Sequence, residues 1–174
     1  SSNVVNTNVR RIAMNDSFDK VFKEHGEAGG MCSRWTYNLA LNYTRYLRSN
    51  PNIPGKQIAA GGNTNQNTAY FKNLVKLGYK MTKVGSNITK GEIIDLIDNK
   101  VQFNYGDVIV YYANDKPKSG SNSHFKYGHT QIWVGSKVSS KWATSKKSNY
   151  GGTFIYRGRQ SNFCDLYIFR APVK

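Results

Sequence analysis

The hydrophobic period of this chain changes once, and that change limits what it can fold into. Before Asn99, apolar residues recur three and four positions apart, the spacing of a helix face. From Tyr105 onward they come in β-branched and aromatic runs, the composition of strands. Helices followed by antiparallel strands predict an α+β fold and argue against alternating βαβ units. No repeat or domain boundary interrupts the pattern, so residues 1–15 are expected to be an extended, loosely attached arm and 16–174 one domain.

The helical part divides at its breakers. Asp16 with Asp19 resembles a capping box, and Phe18, Val21 and Phe22 give a short helix ending near His25-Gly26. Cys32, Trp35, Leu39, Tyr43 and Tyr46 share the face of a second helix, which Pro51 stops. Thr68 to Leu77 is a third helix with Tyr70, Phe71, Leu74, Val75 and Leu77 as its apolar set and Gly78 as its stop. Thr89-Lys90-Gly91-Glu92 is a capping box that opens a fourth, through Ile93, Ile94, Leu96 and Ile97. Strands are expected at Tyr79–Val84, Val108–Tyr112, His129–Val134, Lys141–Thr144, Thr153–Tyr156 and Asp165–Arg170. The proline-, glycine- and asparagine-rich residues 49–67 read as a long surface loop that lines a cleft or simply turns.

Bulk composition excludes several classes. With 174 residues, 39% hydrophobic and 13% aromatic, the chain can build a core and is not a disordered polymer. No apolar run is long enough to cross a bilayer. Twenty-five basic residues against 10 acids give a formal charge of +15, which favours encounter with anionic polymers of many kinds. The lysines are scattered over turns, and no stretch interleaves aromatic with basic residues, so a specific nucleic-acid partner is not expected. Two cysteines are too few for a disulfide framework, and no C-x-x-C or H-E-x-x-H spacing is present; neither metal nor other cofactor is expected.

Chemistry centres on Gly29-Gly30-Met31-Cys32. A cysteine in the first turn of a helix of roughly four turns meets free N–H groups and the positive end of the dipole, both of which favour the thiolate. A buried cysteine acting as a small hydrophobe is the plain alternative, and position alone would favour it. The partner that shifts the balance is His129, which follows Gly128 at the start of a strand, 97 residues after Cys32. An imidazole held by a sheet is a rigid general base, able to take the thiol proton and return it to a leaving amine.

Three stretches together resemble the NlpC/P60 and CHAP group of cysteine peptidases: Gly30-x-Cys32 at a helix start, Tyr105-Gly-Asp-Val-Ile-Val-Tyr111, and Gly128-His-Thr-Gln-Ile-Trp-Val-Gly135. The resemblance spans roughly residues 26–170. It implies a papain-like fold, with the N-terminal helices packed on a C-terminal antiparallel sheet and a Cys32–His129 pair. It also implies hydrolysis of amide bonds in peptidoglycan stem peptides, at the wall of a bacterium, by a secreted or virion-associated enzyme, or one held in the host cytoplasm before lysis. The basic surface would then suit anionic cell-envelope polymers. Related proteins carry a third polar residue on the strand after the histidine. The matching stretch here, Trp142-Ala143-Thr144-Ser145, offers Ser145 where an acid is expected, with Thr144 and Asn149 as alternatives. One oxyanion donor is the Cys32 N–H; the second has no candidate.

Among other residues, Trp133, Trp142 and Asn63 are candidates for substrate contact, while Trp35 reads as core. His25 suits a helix end, His124 a solvated loop, Asp107 a turn and Cys164 a strand core. Two rivals remain beside the peptidase. One is a binding or virion structural protein on a degenerate scaffold, suggested by the missing acid. The other is a toxin or effector using the same pair on another amide.

Overall fold

Val108-Ile109-Val110-Tyr111 lies at the heart of a five-stranded sheet, and all four side chains are fully buried. A continuous apolar run of this kind needs cover on both faces. The computed structural model describes residues 7–25, 32–48, 68–114, 129–134, 142–143 and 163–172. In chain order they form α1 (Thr7–His25), α2 (Cys32–Leu47), α3 (Thr68–Lys76), β1 (Lys80–Ile88), α4 (Lys90–Asp95) with a π-helical turn (Leu96–Lys100), β2 (Val108–Ala113), β3 (His129–Trp133), β4 (Trp142–Ala143) and β5 (Cys164–Arg170). The sheet order is β1-β5-β2-β3-β4, antiparallel throughout. The architecture is α+β, as the sequence predicts.

Alternation then sorts the core into two layers. Val108, Val110, Ile132, Val134 and Phe169 pack with Ala13, Met14, Phe18 and Val21 of α1, Trp35, Leu39 and Tyr43 of α2, and Leu74 and Leu77 of α3. Ile109, Tyr111, Trp133, Leu166 and Ile168 pack on the other face with Ile93, Ile97 and Phe103, from α4 and the segment after it. Each fully buried aliphatic side chain contributes about 1.5–3 kcal/mol. One expectation is corrected here. Helices do not all precede the sheet, because β1 lies between α3 and α4 and joins the sheet edge through β5. Helical segments cover both faces.

The largest revision is at the N-terminus. α1 begins at Thr7 and buries Ala13 and Met14 completely, so residues 7–15 are helix and not part of an arm. Two polar side chains on its inner face, Arg10 and Ser17, are buried and break the apolar pattern that a sequence reading follows. Tyr46, expected on the inner face of α2, is 46% exposed, and Val75 of α3 is 51% exposed.

Local signals held where their chemistry is specific. Gly78, with φ +95°, ends α3; its N–H bonds the Val75 carbonyl while Tyr79 N–H reaches Leu74, closing the helix with a left-handed residue that glycine adopts without strain. Thr89 caps α4, its hydroxyl accepting the Glu92 N–H. At the irregular end of β1, Asp165 Oδ1 accepts bonds from Asn87 N–H (2.8 Å) and Asn114 Nδ2 (2.7 Å), and Oδ2 lies 3.1 Å from Lys83 Nζ. Burial pushes this carboxyl up, but the bonds from Asn114 and Asn87 and the Lys83 charge outweigh it, and the net shift is downward. The stability it adds is therefore present above the unfolded value of about 4 and is lost as pH falls through the lower folded value. Asp165→Asn is expected to unfold in less denaturant than wild type at pH 7, with the gap closing in strong acid. Urea melts at both pH values check this, and a gap that widens in acid would contradict it.

Candidate functional site

α2 makes its main sheet contact along β3, and that alignment decides where the ends of the two elements lie. Near its C-terminal end, the Tyr43 ring packs against Gly106: a Cβ built on that glycine would lie 2.3 Å from Tyr43 Cε2. Gly106 N–H donates to the Trp133 carbonyl (2.9 Å), and Trp133 N–H donates to the Asp107 carbonyl (2.8 Å). Tyr43 thus sits beside the C-terminal end of β3. From Tyr43 back to Cys32 is about 16 Å of helix at 1.5 Å per residue. From Trp133 back to His129 is about 13 Å of strand at 3.3 Å per residue. Cys32 opens α2 and His129 opens β3. The description of Cys32, His129 and Trp142 is of the backbone.

The other end is clamped by Asp107. Its side chain is 1% exposed; Oδ1 accepts the Ala171 N–H (2.8 Å), and Oδ2 accepts the Asn104 N–H (2.9 Å) and a bond from Arg170 Nη1 (2.7 Å). Arg170 also donates to the Gln102 carbonyl. Asp107 therefore fixes the turn into β2, the part the sequence assigns to it. Burial pushes the Tyr43 phenol up, with Arg10 opposing and Asp107 adding to the rise.

Register sets the faces of β3. Val108 pairs with Ile132 and Val110 with Thr130, on the side that α2 covers. Ile109 pairs with Gln131 and Tyr111 with His129, on the side that Trp133 shares with Phe103. The strand position of His129 belongs to the face away from α2.

Of the substrate candidates, Trp133 is corrected: it is 3% exposed and stacked on Phe103 with centroids 5.3 Å apart, so its ring is core and offers no wall to a cleft. Trp35 is core as expected, edge-on to Phe18 at 5.1 Å. Trp142 pairs with Trp133 in β4. Asn63, Ser145, Thr144, Asn149 and His124, like the expected strand 153–156, lie outside the described residues. Cys164 is buried at the start of β5. Among the described residues no group of three His, Cys, Asp or Glu side chains is placed to hold a metal ion, and no helix is long and apolar enough to cross a membrane.

One residue the sequence reading passed over is Gln131. It is fully buried, and neither its amide nitrogen nor its amide oxygen has a hydrogen-bond partner. The available signal was a polar residue between His129 and Trp133 on one strand face. No family model, curated protein or solved structure matches the chain.

Proposed function

We propose that this protein is a cysteine peptidase or amidase acting on peptidoglycan, with Cys32 as nucleophile and His129 as general base. The observation that carries the proposal is the packing of α2 on β3, the two elements that Cys32 and His129 open. A thiolate at a helix N-terminus attacks the amide carbonyl; the imidazolium protonates the departing amine; water then hydrolyses the acyl-enzyme. The Cys32 N–H, free in the first turn, is a ready donor to the oxyanion. Exposed Arg11, Lys20, Lys23, Lys72, Lys76 and Lys80 suit attraction to an anionic cell envelope. The site of action would be the bacterial wall, reached by secretion or from a virion.

A second reading has one specific observation in its favour. The register position of His129 on the face away from α2 suits a binding or virion structural protein built on a scaffold that has lost the pair.

Alkylation of Cys32 separates the two. A thiol of ordinary pKa is almost wholly protonated at pH 6, so a paired thiolate should react with iodoacetamide on the order of a hundredfold faster there. His129→Ala should remove most of that advantage. Peptide mapping distinguishes Cys32 from the buried Cys164. A Cys32 that reacts at pH 6 no faster than free cysteine would sink the enzyme and favour the scaffold.

A further inference from the structure

We propose that the junction of α3 and β1 is a peripheral membrane-binding face, on which Val75 and Met81 enter the boundary of an anionic lipid surface while Arg48, Lys72 and Lys76 meet its headgroups. The inference stands apart from the cysteine–histidine assignment, and its test has no step in common with hydrolysis.

Charge is the first support. Between Glu27 and Glu92 the sequence holds nine lysines and arginines and no acid. The fold gathers part of that span at one place. Gly78 turns the chain from α3 into β1, its N–H bonded to the Val75 carbonyl (2.9 Å). Arg48, just past α2, lies over the same turn: a Cβ built on Gly78 would be 2.7 Å from its Nη2. Lys72, Val75 and Lys76 are neighbours on one face of α3, and all three are exposed. Among the described residues no carboxylate pairs with Arg48, Lys72 or Lys76. Asp165 of β5 is held by Lys83, and Asp107, before β2, by Arg170. The positive field at this face is therefore not cancelled locally.

Exposed apolar surface is the second. Val75 is 51% exposed and Met81 45%. Met81 pairs with Phe169, whose ring is buried with Leu74 and Leu77, so Met81 belongs to the side of the sheet that α3 covers. A single exposed apolar residue is ordinary on any protein surface. Two on adjoining elements, flanked by cations, are what an interfacial face carries. Lysine stems lie along such apolar surface while their ammonium groups reach the phosphates. This combination favours a lipid surface over a soluble polyanion. Either would attract the cations, but only the lipid gives Val75 and Met81 an apolar phase to enter.

Co-sedimentation with vesicles tests the proposal. Wild type should pellet with mixed phosphatidylglycerol–phosphatidylcholine vesicles, stay in solution with phosphatidylcholine alone, and be released as salt is raised. Lys72→Gln/Lys76→Gln should weaken vesicle affinity on the order of thirtyfold, about fivefold for each charge. Val75→Ser/Met81→Ser, which keeps every charge, should weaken it on the order of tenfold. Val9→Ser/Ile12→Ser is the control. Those residues are 47% and 44% exposed on α1, where Asp16, Asp19 and Glu24 are exposed too, and the variant should bind as wild type does. All the substituted side chains are exposed, so melting temperatures should not change. No pelleting with anionic vesicles would overturn the proposal. An equal loss in the control would also overturn it, and so would full binding by Val75→Ser/Met81→Ser. In the last case the face would serve a soluble polyanion, which binding of polyphosphate by wild type and its loss in Lys72→Gln/Lys76→Gln would show. Cys32→Ala should pellet like wild type; an inactive wild type that still pellets would retain this face and discard the enzyme.

Discussion

Cys32→Ala is expected to release no soluble muropeptide from purified sacculi while melting at the wild-type temperature. The loss follows from the mechanism: without sulfur no acyl-enzyme forms, and water must attack unaided. Removal of a nucleophile from a nucleophile–base pair costs on the order of 10⁴-fold or more, leaving only what binding and oxyanion donors supply. The unchanged melt follows from position. Cys32 is the first residue of α2, where alanine is the better helix former by a few tenths of a kcal/mol. The residues that anchor α2, Trp35, Leu39 and Tyr43, remain. His129→Ala should lose as much activity, and the double variant little more, because the two side chains act on one proton. Mass spectrometry of the released fragments would identify the bond. Full release by Cys32→Ala would end the assignment of the nucleophile.

Much of this arrangement was legible in the sequence, and the illegible parts have physical causes. Signals in which one residue type meets one backbone need held up. Gly78 stopped α3, Thr89 with Glu92 opened α4, and Tyr105-Gly106-Asp107 led into β2. Cys32 and His129 open the elements they were expected to open. α1 was half missed because Arg10 and Ser17 are buried on it, and periodicity cannot anticipate a desolvated guanidinium. Trp133 was misjudged because alternation gives a face, not its cover; the Phe103 ring that closes over it comes from thirty positions earlier. The same limit concealed Gln131. Its significance lies in what fails to bond to it, which only a folded neighbourhood reveals.

Gly106→Ala is expected to be the most destabilising single methyl in the described fold. Two costs add at this position. Its φ of +85° lies in the left-handed region, where an L side chain costs about 1–2 kcal/mol. The new Cβ would also stand 2.3 and 2.7 Å from two carbons of the buried Tyr43 ring and 3.2 Å from Ala171 Cβ, and overpacking of this kind costs about 1–3 kcal/mol. The ring cannot give way easily, being fully buried in the layer that joins α1, α2 and the sheet. A total of roughly 3 kcal/mol corresponds to a fall of about 10 °C in melting temperature for a chain of this size. Gly91→Ala is the built-in control. It lies in α4 with no atom near its Cβ, and should gain up to about 1 kcal/mol from helix propensity. The effect of Gly106→Ala extends to activity, because Tyr43 and Gly106 set how α2 lies along β3. A shift of about 1 Å there, carried to Cys32, would cost on the order of a hundredfold in rate even in the folded fraction. A Gly106→Ala protein that melts and hydrolyses like wild type would show that the Tyr43 contact does not hold the helix in place on β3.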